Sequence, residues 1–384
     1  MKDVTLPLAG VKVVEICNVA AGPFCGMLLA DLGAEVIKIE NPAGGDTMRA
    51  WPPHTGPEAD RFSENFASLN RNKQSVSLDL KSSEGKAAVL ALASGADVLI
   101  ENNRPGVLGR LGLGYEDIRA INPRIIYCSI SAYGQRGPRA AEGGFDVTVQ
   151  AISGIMSVTG EEGGSPVKAG IPISDFSAGL YASYAIGAQL RRVAETGIGV
   201  HIDVPMVGTS LAFAALQTSE YFGSGNDPVK LGSAHPRNAP YQAFKARDDY
   251  FVMAAGTNSL WQKVCELLGR EDLLEDPRFA TTVLRAKHQL ELKAILEEAF
   301  SRRDARDLIK MFADAGVPCV PINTYSSAVK DRQVEFMGWV EDLTLPNGVT
   351  TKTIGFPLRF DGAAPRIRLN PPKLGQHAAL VNDR

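Results

Sequence analysis

The chain has 384 residues, of which 45% are hydrophobic and 22% are charged, so it is long enough to bury a large core and to form two domains. A formal net charge of −3 at pH 7 leaves no basic surplus to neutralise phosphates, which argues against a nucleic-acid-binding protein. No run of about 18 apolar residues is present, so a membrane span is not expected.

The first half of the chain alternates between strand and helix patterns. β-branched runs predict strands at 11–16, 35–40, 75–80, 97–102, 124–131 and 200–205. Helical spacing predicts helices at 20–33, 82–95 and 176–195. Repeated β-α-β units of this kind indicate a mainly parallel sheet with helices on both faces.

The pattern changes after about Gly223. Residues 240–256 have the pattern of a hairpin, helices are expected at 259–268, 284–301 and 304–315, and the prolyl strand at 317–322 is expected at a sheet edge. Strand-like alternation returns near Val349. This organisation indicates a second, α+β block between two parts of the first.

The cysteines are odd in number and contain no CxxC pair, so they predict free, mostly buried thiols in a reducing compartment and no zinc site. No HxxxH or HExxH pair is present, so no metal is expected. The amino end has no apolar run typical of a signal peptide, and we expect a cytoplasmic protein. The cysteines are Cys17, Cys25, Cys128, Cys265 and Cys319.

Asp175 is the leading candidate for chemistry. It lies in GIPISDFSAG, where an apolar strand is expected to meet an apolar helix, just after the glycine-rich loop GEEGGSPVKAG. An aspartate that opens a helix is often only an N-cap, and the helix N–H groups would lower its pKa and keep it ionised. The alternative is a carboxylate that attacks an activated acyl group.

Other polar residues indicate an anionic ligand. The first strand–helix turn, ICNVAAGPFCG, lacks the GxGxxG of dinucleotide folds, and is either an ordinary tight turn or an anion site at a helix N-terminus. Lys81 and Arg110 follow strands that we expect to be neighbours, and they are either solvated surface cations or phosphate ligands. His235 is either a pocket residue or an ordinary loop histidine, and no GxSxG elbow of a serine hydrolase is present.

Longer segments resemble a known family in one continuous order. They are PLAGVKVVEICNVAAGPFCGMLLADLGAEVIKIENPAGGD, LNRNKQSVSLDLKSSEGK, DVLIENNRPGVLGRLGLGYEDI, NPRIIYCSISAYGQRGP, GFDVTVQAISGIMSVTG, GIPISDFSAGLYA, PYQAFKARDDY, DPRF and LGQH. The chain resembles, over nearly its whole length, the class III CoA-transferases, which include formyl-CoA, carnitine and dicarboxylate CoA-transferases.

This resemblance implies an α/β fold. Residues 1–223 and 326–384 would form a large, Rossmann-like CoA-binding domain, and residues 224–325 an inserted smaller α+β domain. Family members are intertwined homodimers. They hold no permanent cofactor and use coenzyme A and acyl-CoA as substrates.

The resemblance also implies a site and a reaction. Asp175 matches the family's nucleophile, which passes CoA from an acyl-CoA donor, such as succinyl-CoA or another dicarboxylyl-CoA, to a carboxylic acid acceptor through an aspartyl anhydride and an enzyme–CoA thioester. The loop around Gly163 and Gly164 would close over the site to exclude water. The implied CoA contacts are Val19, Ala20, Asn41, Leu78, Lys81, Asn102, Asn103 and Arg110.

Three positions depart from patterns within the family. Ala20 stands where some members have glutamine, and Asn103 stands where an aromatic residue is frequent. Phe145 replaces the histidine of the GHD motif that racemases of this fold use as a base, which disfavours an acyl-CoA racemase or isomerase. A non-catalytic CoA-binding protein and a nucleotide-dependent oxidoreductase are the remaining alternatives, and the latter lacks its glycine fingerprint.

Overall fold

A computed structural model of the protein describes residues 6–382 and divides into two compact units. The larger unit runs to Ile155, then from Lys168 to Asn226, and again from Gln333. The smaller unit comprises Met156–Val167 and Asp227–Arg332. The limits expected for a CoA-binding domain and an inserted domain stay a prediction.

The strands are β1 Lys12–Ile16, β2 Glu35–Glu40, β3 His54–Thr55, β4 Phe62–Ser63, β5 Lys73–Ser77, β6 Val98–Glu101, β7 Ile126–Ser131, β8 Val200–Pro205, β9 Tyr241–Lys245, β10 Tyr250–Ala254, β11 Cys319–Pro321, β12 Val340–Thr344 and β13 Thr350–Ile354.

The α-helices are α1 Ala21–Asp31, α2 Glu64–Asn70, α3 Ser83–Ser94, α4 Val107–Arg110, α5 Tyr115–Ile121, α6 Asp146–Ile152, α7 Ile155–Val158, α8 Ile173–Thr196, α9 Met206–Phe213, α10 Ala215–Ser224, α11 Asn258–Leu268, α12 Asp272–Glu275, α13 Thr282–Lys287, α14 Gln289–Phe300, α15 Ala305–Asp314, α16 Tyr325–Ala328, α17 Arg332–Met337 and α18 Ala379–Asn382.

The main sheet of the larger unit is parallel throughout, as the sequence predicts. Its strand order is β5-β2-β1-β6-β7-β8, which is the order of a doubly wound, Rossmann-like sheet. The direction of winding reverses between β1 and β6. The crevice outside the carboxyl ends of these two strands is where such sheets bind their ligands.

Several predicted elements are confirmed and others differ in their limits. The hairpin of β9 and β10 is antiparallel, β11 lies at the edge of its three-stranded sheet, and all five cysteines are free and buried. The strand predicted to continue to residue 80 ends at Ser77, because Asp79 accepts a hydrogen bond from the Lys81 backbone N–H and turns the chain into α3. The helix expected at 284–301 is two helices that meet at His288.

The smaller unit has a core of its own. Aromatic rings from the antiparallel sheet, Phe244 and Phe251, pack against Phe300 of α14 with centroid distances of 5.6 and 5.2 Å. All three side chains are fully buried, and each such aromatic ring contributes several kcal/mol of burial free energy, roughly 3–5 kcal/mol when truncated to alanine. This unit is therefore held by an apolar cluster.

The larger unit contains a network of buried charges that joins the neighbouring strands β1, β2 and β5. The Lys38 ammonium lies 3.0 Å from a Glu15 carboxylate oxygen and 2.9 Å from one of Asp46, and Lys73 lies 2.9 Å from the other Glu15 oxygen. All four side chains are fully buried. Burial alone would lower the pKa of Lys38, but the carboxylates of Glu15 and Asp46 outweigh it and hold that pKa above its ordinary value.

This network holds the turn between β1 and α1. Lys38 donates to the Cys17 carbonyl at 2.8 Å, and Lys73 donates to the Pro23 carbonyl at 2.8 Å. Gly26 of α1 makes room for it, since a Cβ there would lie 1.9 Å from a Glu15 oxygen. Three neighbouring strands and the first helix are thus tied together through charges.

Replacing Lys38 with methionine should destabilise the protein strongly. Methionine keeps most of the volume but leaves Asp46 without a counter-charge, which typically costs about 3–5 kcal/mol. Urea unfolding would show the loss. Arg191→Met is the matched control, because Arg191 pairs with Glu195 on the exposed face of α8 and should leave the midpoint nearly unchanged. Equal midpoints for the two variants would contradict this role of the network.

Candidate active site

A pocket of about 400 Å³ opens in the larger unit at the point where the strand order reverses. Loops that follow β1, β6 and β7 form its walls, and the first turn of α8 brings Asp175 into it. The lining residues are Asn18, Val19, Ala20, Ala21, Asn102, Asn103, Arg104, Pro105, Ile130, Ser131, Ala132, Glu142, Gly143, Gly144, Phe145, Asp175 and Met206.

The β1–α1 turn is fixed from both sides. Val19 has a φ of 65°, a left-handed conformation that is unfavourable for a β-branched residue. Its backbone N–H donates to the buried Asp46 carboxylate at 3.1 Å. On the pocket side, the Asn18 N–H donates to Asn102 Oδ1 at 2.9 Å and Asn102 Nδ2 donates to the Asn18 carbonyl at 2.8 Å. The carboxyl ends of β1 and β6 are therefore locked to each other.

Asp175 occupies a different local structure from the one expected. The segment before it, residues 161–172, is irregular and contains no strand, so the predicted strand–helix junction is wrong. The N-cap interpretation is also wrong, because Pro172 is the N-cap residue and Asp175 lies inside the first turn of α8. The segment that leads into α8 does not form a strand at its end, since Pro172 lacks the N–H that pairing in a sheet needs.

The protonation of Asp175 corrects the sequence expectation as well. Burial, together with the negative charge of Asp146, raises the pKa of Asp175 to about 7. The helix N–H groups were expected to lower this pKa, but desolvation of the carboxylate dominates. A carboxylic acid that titrates near neutral pH in a pocket is a strong candidate for function.

Sequence reasoning missed Asp146, which follows Phe145 in the GFD motif. Its Oδ1 accepts a hydrogen bond from the Ser174 backbone N–H at 2.9 Å, and its Oδ2 accepts one from Gln150 Nε2 at 2.7 Å. The available signal was its position in that motif, directly after Phe145. Phe145 itself lines the pocket and is 73% exposed.

Sequence reasoning also missed two charged residues of the pocket wall. Arg104 and Glu142 both line the pocket and are exposed. The NRPG segment that follows β6 contains Arg104, six residues before the Arg110 that was singled out. A guanidinium in the wall of a pocket can bind a carboxylate or a phosphate.

The structure brings together some of the predicted site residues and separates others. Val19, Ala20, Asn102 and Asn103 line the same pocket as Asp175. The remaining predicted contacts do not line it. They are Asn41, Leu78, Lys81 and Arg110.

The expectation that Lys81 and Arg110 follow neighbouring strands is wrong. Lys81 follows β5 at the edge of the sheet, and Arg110 ends α4 after β6, so β2 and β1 lie between them. Both side chains are exposed. Asn41 directly follows β2, where its Oδ1 accepts a hydrogen bond from the Ala43 N–H. These residues nevertheless all follow strands at their carboxyl ends, which is the ligand-binding edge of such a sheet.

The smaller unit contains the two loops that the sequence singled out. His235 Nδ1 accepts hydrogen bonds from the backbone N–H groups of Arg237 and Asn238, both at 3.1 Å, which is the role of a loop histidine that shapes a turn. In the glycine-rich loop, the Gly164 carbonyl accepts a hydrogen bond from Lys230 Nζ at 2.8 Å. Between residues 6 and 382, no group of three or more His, Cys, Asp or Glu side chains has the arrangement to hold a metal ion.

Comparison with known proteins agrees with the fold. The sequence model of CoA-transferase family III matches residues 8–378. Succinate–glutarate CoA-transferase of Agrobacterium fabrum is 39% identical over 98% of this chain and 94% of its own length. Human succinyl-CoA:glutarate CoA-transferase is 39% identical over 98% of this chain and 85% of its own. A CAIB/BAIF family protein from Brucella suis has a solved structure with a TM-score of 0.88, 39% identity and 99% coverage of both chains.

The chain therefore belongs to CoA-transferase family III and is an enzyme of that class. The resemblance noted in the sequence is confirmed. Over the described residues, no helix has both the length and the apolar character needed to cross a membrane.

Proposed function

We propose that the protein moves CoA from an acyl-CoA thioester to a free carboxylic acid, with Asp175 as the covalent nucleophile. The observation that carries this proposal is a half-buried carboxylate with a pKa of about 7, in a pocket at the reversal point of a doubly wound sheet. Because nucleophilicity rises with basicity, such a carboxylate attacks carbonyl carbon better than an ordinary aspartate does.

The proposed reaction passes through two covalent forms. The Asp175 carboxylate attacks the donor thioester carbonyl, a C–O bond forms, the C–S bond breaks, and CoA leaves as a thiolate. The thiolate then attacks the Asp175 carbonyl carbon of the mixed anhydride, which releases the donor acid and leaves an aspartyl–CoA thioester. The acceptor carboxylate repeats both steps in reverse. No metal or redox group is needed to balance any step.

We further propose that donor and acceptor are dicarboxylates, with succinyl-CoA as a donor and a five-carbon diacid such as glutarate as an acceptor. The relatives of Agrobacterium and human support this choice by their names. Arg104 supports it by its chemistry, since it is the cation among the lining residues of the pocket and suits a second carboxylate.

For CoA itself, we propose that the ligand extends from the pocket along the carboxyl edge of the sheet. Val19, Ala20, Asn102 and Asn103 would contact the end near the sulfur, since they line the pocket with Asp175. The residues outside the pocket would contact the nucleotide end, where Lys81 and Arg110 provide charge for phosphates. Asn41 and Leu78 complete this proposed set.

Replacing Asp175 with asparagine should abolish transfer without unfolding the protein. The amide cannot form the anhydride, so acyl transfer should fall by several orders of magnitude and intact-mass spectrometry after incubation with succinyl-CoA should show no CoA adduct, which the parent should form. Asp314→Asn, on an exposed helix face, is the matched control. A freshly purified Asp175→Asn protein that transfers CoA at the parental rate would refute the proposed nucleophile.

The stability of the same variant separates lost chemistry from lost structure. In the parent the folded-state pKa of Asp175 lies above its unfolded value, so the unfolded chain ionises first and stability falls as pH rises from about 4 to 7. Asparagine removes this cost. Urea unfolding should therefore find Asp175→Asn more stable than the parent at pH 8, by on the order of 2–4 kcal/mol, and similar at pH 4.

Lys81→Ala and Arg110→Ala should each weaken CoA binding through loss of a charge-assisted bond to a phosphate. The expected cost is about 1.5–3 kcal/mol, roughly a 10- to 150-fold rise in Kd. Isothermal titration calorimetry checks it, with Lys310→Ala as the control on an exposed helix. Dephospho-CoA should bind the parent more weakly than CoA if one of the two meets the ribose phosphate. Unchanged Kd values in both variants would remove this part of the proposal.

We also propose a homodimer. Large apolar side chains remain exposed on the helices of the larger unit, including Tyr184 at 75%, Leu216 at 63% and Phe222 at 80%. Patches of this kind mark interaction surfaces, and the family resemblance implies that a second copy covers them. Sedimentation at decreasing concentration should show one species of twice the chain mass. A folded monomer on dilution would contradict an intertwined assembly.

A further inference from the structure

We propose that Asp146 is a positioning residue for the nucleophile: its carboxylate anchors the first turn of α8 and sets a second negative charge beside Asp175. This inference rests on the proposed CoA-transfer function and adds a residue to it that neither the sequence patterns nor the comparisons assign.

The anchoring is visible in the hydrogen bonds of Asp146. One carboxylate oxygen accepts a hydrogen bond from the backbone N–H of Ser174, the residue directly before Asp175. The other oxygen accepts a hydrogen bond from Gln150 Nε2. Gln150 is fully buried, and its Oε1 accepts the Ala169 N–H at 2.8 Å. Asp146 and Gln150 together therefore hold both the irregular approach to α8 and its first turn.

The far side of Ser174 is fixed as well. Its hydroxyl is buried and accepts a hydrogen bond from Ser210 Oγ of α9 at 2.9 Å. The segment that carries Asp175 is thus held on two sides, by Asp146 and by Ser210. Because this geometry is preset, the repulsion between the two carboxylates is not relieved by rotation of the backbone.

Asp146 is the charged group that acts on Asp175 most directly. In the pocket wall, Glu142 is paired with Arg139 at 2.7 Å, and Arg104 is exposed. On α1, Asp31 lies at the far end and pairs with Arg71 at 2.7 Å. The strands packed against α8 contribute further titratable groups, and α9 contributes none. These are Tyr127 and Cys128 on β7, and His201 and Asp203 on β8.

The second charge favours the covalent step. When the Asp175 oxygen bonds to the donor acyl carbon and the C–S bond breaks, one negative charge leaves position 175 and passes to the CoA sulfur. The two carboxylates repel each other in the free enzyme and no longer do so in the anhydride or in the aspartyl–CoA thioester. An interaction that is unfavourable before the reaction and absent after it lowers the barrier to acylation.

The test measures how the rate of forming the aspartyl–CoA adduct depends on pH. Parent protein is mixed with excess succinyl-CoA, and the single-turnover appearance of the adduct is followed by quenched-flow intact-mass spectrometry from pH 5 to 9. The parent rate should rise with pH through a midpoint near 7, where Asp175 ionises. In Asp146→Asn the midpoint should move to lower pH by about one unit, because the neighbouring charge is gone, and the plateau rate should fall by roughly tenfold.

Asp146→Glu is the matched control, since it keeps the charge and should keep a midpoint close to that of the parent. If Asp146→Asn does not fold, Asp146→Ser removes the same charge and is measured in the same way. A purely structural role would lower the rate at every pH without moving the midpoint, and that result would overturn the inference. A parent that forms no adduct at any pH would instead overturn the proposed function.

Discussion

The buried ion pairs of Lys38 hold the turn between β1 and α1 in place, although this turn lacks the glycines that such turns usually contain. In most dinucleotide folds, glycines let the first strand–helix turn approach the ligand closely. Here Val19 adopts a left-handed backbone conformation, and the Asp46 carboxylate that binds its N–H is neutralised by Lys38. Buried charges thus supply the rigidity at the turn that a glycine fingerprint supplies elsewhere, at a cost in desolvation that only a complete set of partners offsets.

A second pair of charges accounts for the reactivity that we propose for the pocket. Asp146 and Asp175 are held close by backbone hydrogen bonds at the start of α8, and neither carboxylate has a cation within its ion-pair distance among the described residues. The same kind of side chain is stabilising where its charge is matched and, in our proposal, reactive where its charge is left unmatched beside a pocket.

Much of the fold follows from local sequence patterns. Short runs rich in β-branched residues place β1, β2 and β7 to within two residues of their observed limits, because strands buried on both faces leave little freedom in composition. The irregular segment before α8 was not predictable in this way. Its apolar residues, including Ile171, are typical of a strand, but the ordering of the backbone depends on Asp146 and Gln150, which lie about 20 residues earlier in the chain.

The site was likewise predictable only where local sequence patterns determine it. Asp175 and the turn residues follow from motif and position, whereas the pKa of Asp175 depends on burial by distant segments, which spacing does not reveal. Lys81 and Arg110 were expected on adjacent strands, but chain order differs from strand order in a doubly wound sheet, which inserts β1 and β2 between them.

The most direct measurement is a crystal structure of the parent protein after soaking with succinyl-CoA. The account predicts continuous electron density from the Asp175 side-chain carbon to the CoA sulfur, with the rest of CoA along the carboxyl ends of β1 and β6. An intact thioester beside an unmodified Asp175, in crystals of a protein that transfers CoA in solution, would contradict it.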